Sequence, residues 1–160
     1  MRGWIERWKA LTLFEQGLAN MMIAWVLLFG SGVVIFWLFP ESLVKNLAFF
    51  GGYLFDMSRF VELPAPAERF WSALALSLMA TLTVLCAFVA WDVRKYQHFT
   101  IPVLVSKAAS TFFFLHFYWN ERPAFAYLGG AIFSDGPIFV ATLAVYLLAR
   151  RGQKKALSRQ

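Results

Sequence analysis

At 160 residues, 60% hydrophobic and only 15% charged, the chain falls well short of the roughly 25% charged content of a soluble domain, which excludes a water-soluble globule. The length suits one folding unit, and since about 20 apolar residues make one crossing of the hydrocarbon, several membrane spans fit within it. The excess of 15 Lys and Arg over 9 Asp and Glu lies between long apolar runs and not along one solvated face, so it reads as membrane topology and no nucleic-acid partner is expected.

The opening residues 1–16 place Trp4, Ile5, Trp8 and Leu11 at helical spacing with Arg2, Glu6, Arg7 and Lys9 turned elsewhere, the pattern of an interfacial helix. Thr12 followed by Glu15 has the form of a capping box. Span one is expected over 18–39, ending before Pro40, and is longer than the h-region of a signal peptide, so it reads as an uncleaved anchor. Residues 41–67 form an amphipathic outer loop. Within it Leu43 to Phe55 is apolar but, at 13 residues, too short to cross, and is expected to lie in the interface with a bend at Gly51-Gly52.

Pro64 and Pro66 restart the chain as span two, 68–91. After the connector DVRKYQHF, Thr100 and Pro102 supply a cap and first turn for span three, 101–119. The tight turn Asn120-Glu121-Arg122 and Pro123 lead into span four, 124–149, with 150–160 left as a mobile basic tail. The expected fold is thus a single all-α membrane domain of four transmembrane helices. Both termini then share one side with Arg2, Arg7, Lys9, Arg94, Lys95, Arg150, Arg151, Lys154, Lys155 and Arg159, while Lys45, Arg59, Arg69 and Arg122 lie opposite. By the positive-inside rule that bias predicts N-in and C-in, in an inner or plasma membrane.

Catalytic motifs are missing: there is no HExxH, no GxSxG, no phosphate-cradling glycine loop and no paired carboxylates on one span. The single cysteine, Cys86, removes intrachain disulfides and thiolate clusters from consideration. His98 and His116 are separated by eighteen residues of mostly helix, roughly 27 Å, and cannot hold one haem. No cofactor and no metal are expected. His116 sits among Phe112, Phe113, Phe114, Phe117, Tyr118 and Trp119, and reads either as a quinone ligand or as part of an interfacial aromatic belt.

Span four carries Ser134-Asp135-Gly136-Pro137, where the missing Pro137 donor and the loose Gly136 predict a kink or a break. A break would make Asp135 the N-cap of a half-helix, as in transporters, whereas a kink would leave its carboxylate to satisfy freed backbone N–H groups. Span three carries Lys107 with Ser106, Ser110 and Thr111, and positions 107, 110 and 111 share one face. Lys107 is six residues from Ile101, roughly 9 Å in, so snorkelling and pairing both remain open. Yet Lys107 lies 12 residues from Trp119 and Asp135 lies 12 residues from Pro123, so in antiparallel neighbouring spans their depths match and a meeting is predicted, with Ser134 in support. Small residues at Ala126, Gly130 and Ser134, and at Ala73, Ser77 and Thr81, recur every fourth position and suit close helix packing.

The functional expectation is a non-catalytic membrane protein acting by binding, as an accessory subunit or as a carrier of a hydrophobic small molecule. It draws on 18 Phe, 7 Trp and 5 Tyr in so short a chain. The ligand-facing candidates are His116, Tyr118, Trp119 and Tyr53, and the partners are membrane lipids, an apolar small molecule or other membrane subunits. The alternative is a small transporter or proton-coupled channel titrating Asp135 and Lys107; an intramembrane enzyme ranks third.

Overall fold

Residues 8–39, 69–120 and 125–157 are described by a computed structural model, which is helical throughout these segments with no strand among them. The elements are α1 (Leu13–Leu38), α2 (Arg69–Trp91), the short α3 (Val93–Tyr96), a 3₁₀ turn (Gln97–Phe99), α4 (Thr100–Asn120), α5 (Phe125–Gly129), a π-helical segment (Gly130–Asp135) and α6 (Gly136–Leu157). Among the described residues four stretches are long and apolar enough to cross a membrane: Leu13–Leu38, Ala73–Trp91, Val93–Asn120 and Tyr127–Gln153. The protein is an all-α membrane protein. The amphipathic loop 41–67, the turn at 121–124 and the ends 1–7 and 158–160 lie outside the described residues.

Local chemistry sets where α1 begins. The Thr12 hydroxyl accepts from the Glu15 N–H at 3.3 Å, and the Glu15 carboxylate accepts from the Thr12 N–H at 2.7 Å, closing a reciprocal capping box. The helix consequently starts at Leu13, five residues before the expected position 18, and the described residues before it are helical at Trp8 and Lys9 and leave the helix at Ala10 to Thr12. The expected interfacial helix therefore does not run to residue 16. Its 26 residues give α1 a length of about 39 Å, more than the hydrocarbon requires.

The helices run alternately up and down. Gly30 and Gly32 of α1 lie against Thr83 and Met79 of α2, an antiparallel register, and Gly17 lies against Val145 of α6. α4 in turn packs on α2 and α6, which closes the ring. Each helix turns one stripe inward: Leu18, Ala19, Met22 and Phe29 from α1, Leu82, Cys86 and Val89 from α2, Val103 and Leu104 from α4, and Ile138, Tyr146 and Ala149 from α6. Residues such as Leu27, Val34, Leu78, Val105 and Val140 point outward, as suits helices whose other faces meet lipid. The stripe Ala73, Ser77 and Thr81 is also exposed and does not mediate packing within the chain. Its hydroxyls are satisfied locally, Ser77 donating to the Leu74 carbonyl and Thr81 to that of Ser77, both at 2.8 Å, so they need no neighbouring helix.

Span four is distorted where a kink or a break is expected, and it runs on past its expected end. It does not break at Gly136-Pro137: helical backbone continues through the π-helical segment, where the Gly136 N–H donates to the Ala131 carbonyl five residues back. One widened turn immediately before the proline accommodates a residue that has no N–H to give and whose ring crowds the preceding turn. Nor does the helix stop at 149; α6 continues to Leu157. The reason lies in Gln153, whose side-chain amide donates to Glu15 at 3.0 Å, and in Gly152, where the helix lies close to Phe14 and Thr12.

The π turn depends on glycine. A Cβ at position 136 would press into the Ala131 carbonyl oxygen, a backbone atom that cannot step aside. Gly136→Ala is expected to cost about 1–3 kcal/mol, the range for forced overpacking. Gly152→Ala, whose Cβ would make ordinary contacts at 3.7 and 3.8 Å, should be neutral or mildly stabilising because alanine is the better helix former. Unfolding of both variants in detergent micelles checks the difference; equal midpoints would show that the widened turn can relax around a methyl group.

Candidate functional site

Lys107 and Asp135 meet in the middle of the described bundle. The Lys107 Nζ donates to Asp135 Oδ1 at 2.8 Å, with both side chains largely enclosed at 12% and 11% exposure. α4 presents the lysine, and the π-helical segment presents Asp135 on the inward stripe that continues as Ile138, Thr142, Tyr146 and Ala149. The ammonium also lies 4.6 Å from the centroid of the Phe29 ring of α1, over its negative face. Three helices thus share one charge centre, and the lysine side chain is engaged there instead of snorkelling to an interface.

The surrounding hydroxyls serve the backbone more than the ion pair. Thr111 and Ser110 both donate to the Lys107 carbonyl, at 2.7 and 3.2 Å, and Ser134 donates to Asp135 Oδ1 at 3.4 Å. Ser106 is half-buried. Of the small residues, Gly130 lets α4 close in, since a Cβ there would come within 2.7 Å of Phe114; the Ala126 side chain lies outside the described residues. Two turns along from Asp135, the buried Thr142 hydroxyl accepts from the Trp25 indole N–H at 3.0 Å, a second polar link between α1 and α6.

The aromatic candidates occupy the opposite half of α4. His116 is exposed, stacked on Phe112 with centroids 6.1 Å apart, and its Nδ1 lies 3.1 Å from the Asn120 side-chain nitrogen. Trp119 is 71% exposed, with Tyr118 half-buried edge-on beside it. Tyr53 lies outside the described residues. His116, Tyr118 and Trp119 do not converge on the Lys107–Asp135 centre. Among the described residues no three His, Cys, Asp or Glu side chains converge as a metal site would require.

A third cluster was legible in sequence only as a helix cap. Glu15 is 1% exposed, yet its carboxylate accepts from Arg94 Nε at 3.0 Å and Nη2 at 3.1 Å, from Gln153 at 3.0 Å and from the Thr12 N–H. Arg94 Nη2 donates also to the Ala10 carbonyl at 2.8 Å. This hub binds the start of α1, the α2–α4 connector and the end of α6. The capping pattern announced the Thr12 contact alone, because the other partners are 79 and 138 residues away. Beside the hub an open groove of about 510 Å³ is lined by Trp8, Leu11, Ala90, Trp91, Arg94 and Lys95.

No protein-family model, no curated protein and no solved structure matches the chain.

Proposed function

We propose that this is a non-catalytic integral membrane protein that acts by binding, as an accessory subunit of a membrane complex, with both termini on the cytoplasmic side. The observation that carries the proposal is the uneven distribution of buried and aromatic surface. In α1 and α4 the buried residues end at Phe29 and Leu104, while beyond them Trp37, Phe112, Phe113 and Trp119 are exposed, Phe112 stacked on His116. Large exposed aromatic surface with one polar group is the composition of a contact face. The Lys107–Asp135 pair is neutralised and enclosed, which suits a lock between helices.

A photo-crosslinking residue at Phe113, in cells, should give adducts with a second polypeptide, and the same residue at the outward Val105 should give far fewer. Mass spectrometry of the material that co-purifies in mild detergent identifies the partner. Adducts only to lipid or to residues 41–67 of the same chain would overturn the proposal. The second reading, a small transporter or proton-coupled channel using Asp135 and Lys107, is favoured by the π-helical segment at the pair, a feature frequent at functional sites. Proton uptake by reconstituted vesicles that vanishes in Asp135→Asn would establish it over the first.

A further inference from the structure

The groove beside the Glu15 hub lies where α2 ends at Trp91 and the next membrane-spanning stretch begins at Val93, so it sits at the boundary between hydrocarbon and headgroups. Its floor is apolar, formed by Leu11, Ala90 and Val93, and its rim carries Trp8, Trp91, Asp92, Arg94 and Lys95. We propose that this groove seats the headgroup of an anionic phospholipid, with the phosphodiester at Arg94 and Lys95 and the glycerol and upper methylenes on the apolar floor. The proposal deepens the binding reading and rests on it.

Size and flanks suit such an occupant. A volume of about 510 Å³ is within the roughly 300–1,000 Å³ range of small-molecule sites. Indole rings favour headgroup depth, where one edge is apolar and the other wet, and Trp91 is 63% exposed there. A free anion would need neither the apolar floor nor the indole flanks, which favours a lipid as the source of the phosphate.

The charges on the rim are not all spent. Arg94 commits Nε and Nη2 to Glu15 and the Ala10 carbonyl, and both N–H groups of Nη1 make no hydrogen bond to a described residue. Glu15 balances the arginine charge but is buried behind it. Asp92 is turned to its own helix, accepting the Lys95 backbone N–H at 3.1 Å as the cap of α3. The Lys95 ammonium lies 5.0 Å from the Tyr96 ring centroid and makes no ion pair within the described residues. The rim thus offers the Lys95 ammonium, without an ion pair among the described residues, and a half-free guanidinium fork, a donor set matched to a phosphodiester of net negative charge.

The test uses the full chain in mild detergent, equilibrated with an equimolar mixture of phosphatidylglycerol and phosphatidylcholine, with retained lipid counted by native mass spectrometry. One phosphatidylglycerol should be retained in preference to phosphatidylcholine. Lys95→Ala should lower that retention about fivefold, the effect of one basic residue near an anionic headgroup. Lys95→Arg should restore it, and rising sodium chloride should weaken it. Lys95 is exposed and outside the Glu15 hub, so the fold is retained in both variants. Equal retention of the two lipids, or undiminished phosphatidylglycerol on Lys95→Ala, would overturn the proposal. Displacement of the lipid by millimolar inorganic phosphate alone would also overturn it, marking a free-anion pocket. Any such failure removes the groove as a lipid seat and leaves the Phe113 crosslinks, which report on the binding reading independently.

Discussion

Lys107→Met and Asp135→Asn should each lower the stability of the detergent-solubilised protein by about 3–5 kcal/mol, and the double variant should recover much of that loss. The magnitude follows from what each change leaves behind. Each partner is nearly enclosed, so removing one strands a charge or a polar amide beside Phe29 without the partner 2.8 Å away. Removing both leaves two uncharged side chains of similar volume, a replacement that is often neutral. An ordinary interhelical hydrogen bond in a membrane averages only about 0.6 kcal/mol in such cycles, so a coupling of that size would reduce the pair to a minor contact. Strict additivity of the two single effects would show that the residues do not interact at all.

At the other polar centre, Arg94→Ala should cost about 3 kcal/mol and clearly more than Glu15→Gln. The arginine supplies two of the donors that satisfy a carboxylate buried to 1% exposure, and without it that charge keeps only the Thr12 N–H and Gln153. The half-exposed guanidinium, by contrast, is rehydrated when the carboxylate is removed. Glutamine at position 15 also preserves the capping box, which accepts Glu or Gln at that place. Arg94→Lys should recover part of the loss, limited by the missing two-pronged geometry. Unfolding followed by loss of helical signal in micelles ranks the three variants. A Glu15→Gln defect as large as that of Arg94→Ala would mean that the carboxylate and not its stranded charge sets the energy.

What was legible in the chain and what was not divides along sequence separation. The four apolar stretches, the Thr12–Glu15 box and the matching depths of Lys107 and Asp135 follow from spacing within one helix or one short hairpin, which a linear sequence displays directly. The start of α1 at Leu13 was legible in principle, since a cap fixes a helix start independently of where hydrophobicity begins. The continuation of α6 to Leu157 was not, because residues 150–155 carry four charges and a glutamine and stay helical through contacts of Gln153 and Gly152 with the first turn of α1. Pro137 signalled a distortion without specifying its form. Whether a helix breaks, bends or widens there depends on Gly136 and on the approach of Thr111 from α4, a contact no local pattern encodes. The outward turn of Ala73, Ser77 and Thr81 shows the converse limit, since a spacing that permits packing does not choose a partner.

The two charge centres differ in how far apart their partners lie along the chain, and this orders assembly during synthesis. Lys107 and Asp135 are 28 residues apart in one helical hairpin. They can neutralise each other as soon as α4 and α6 exist, so the hairpin enters the bilayer as a unit without dragging two separate charges across it. Glu15 acquires Gln153 only after 138 further residues have been made. Arg94 reaches that carboxylate earlier, after 79 residues, so until Gln153 is made the start of α1 is latched only to the α2–α4 connector. The three-way hub at the start of α1 is therefore complete only when Gln153 of α6 joins it.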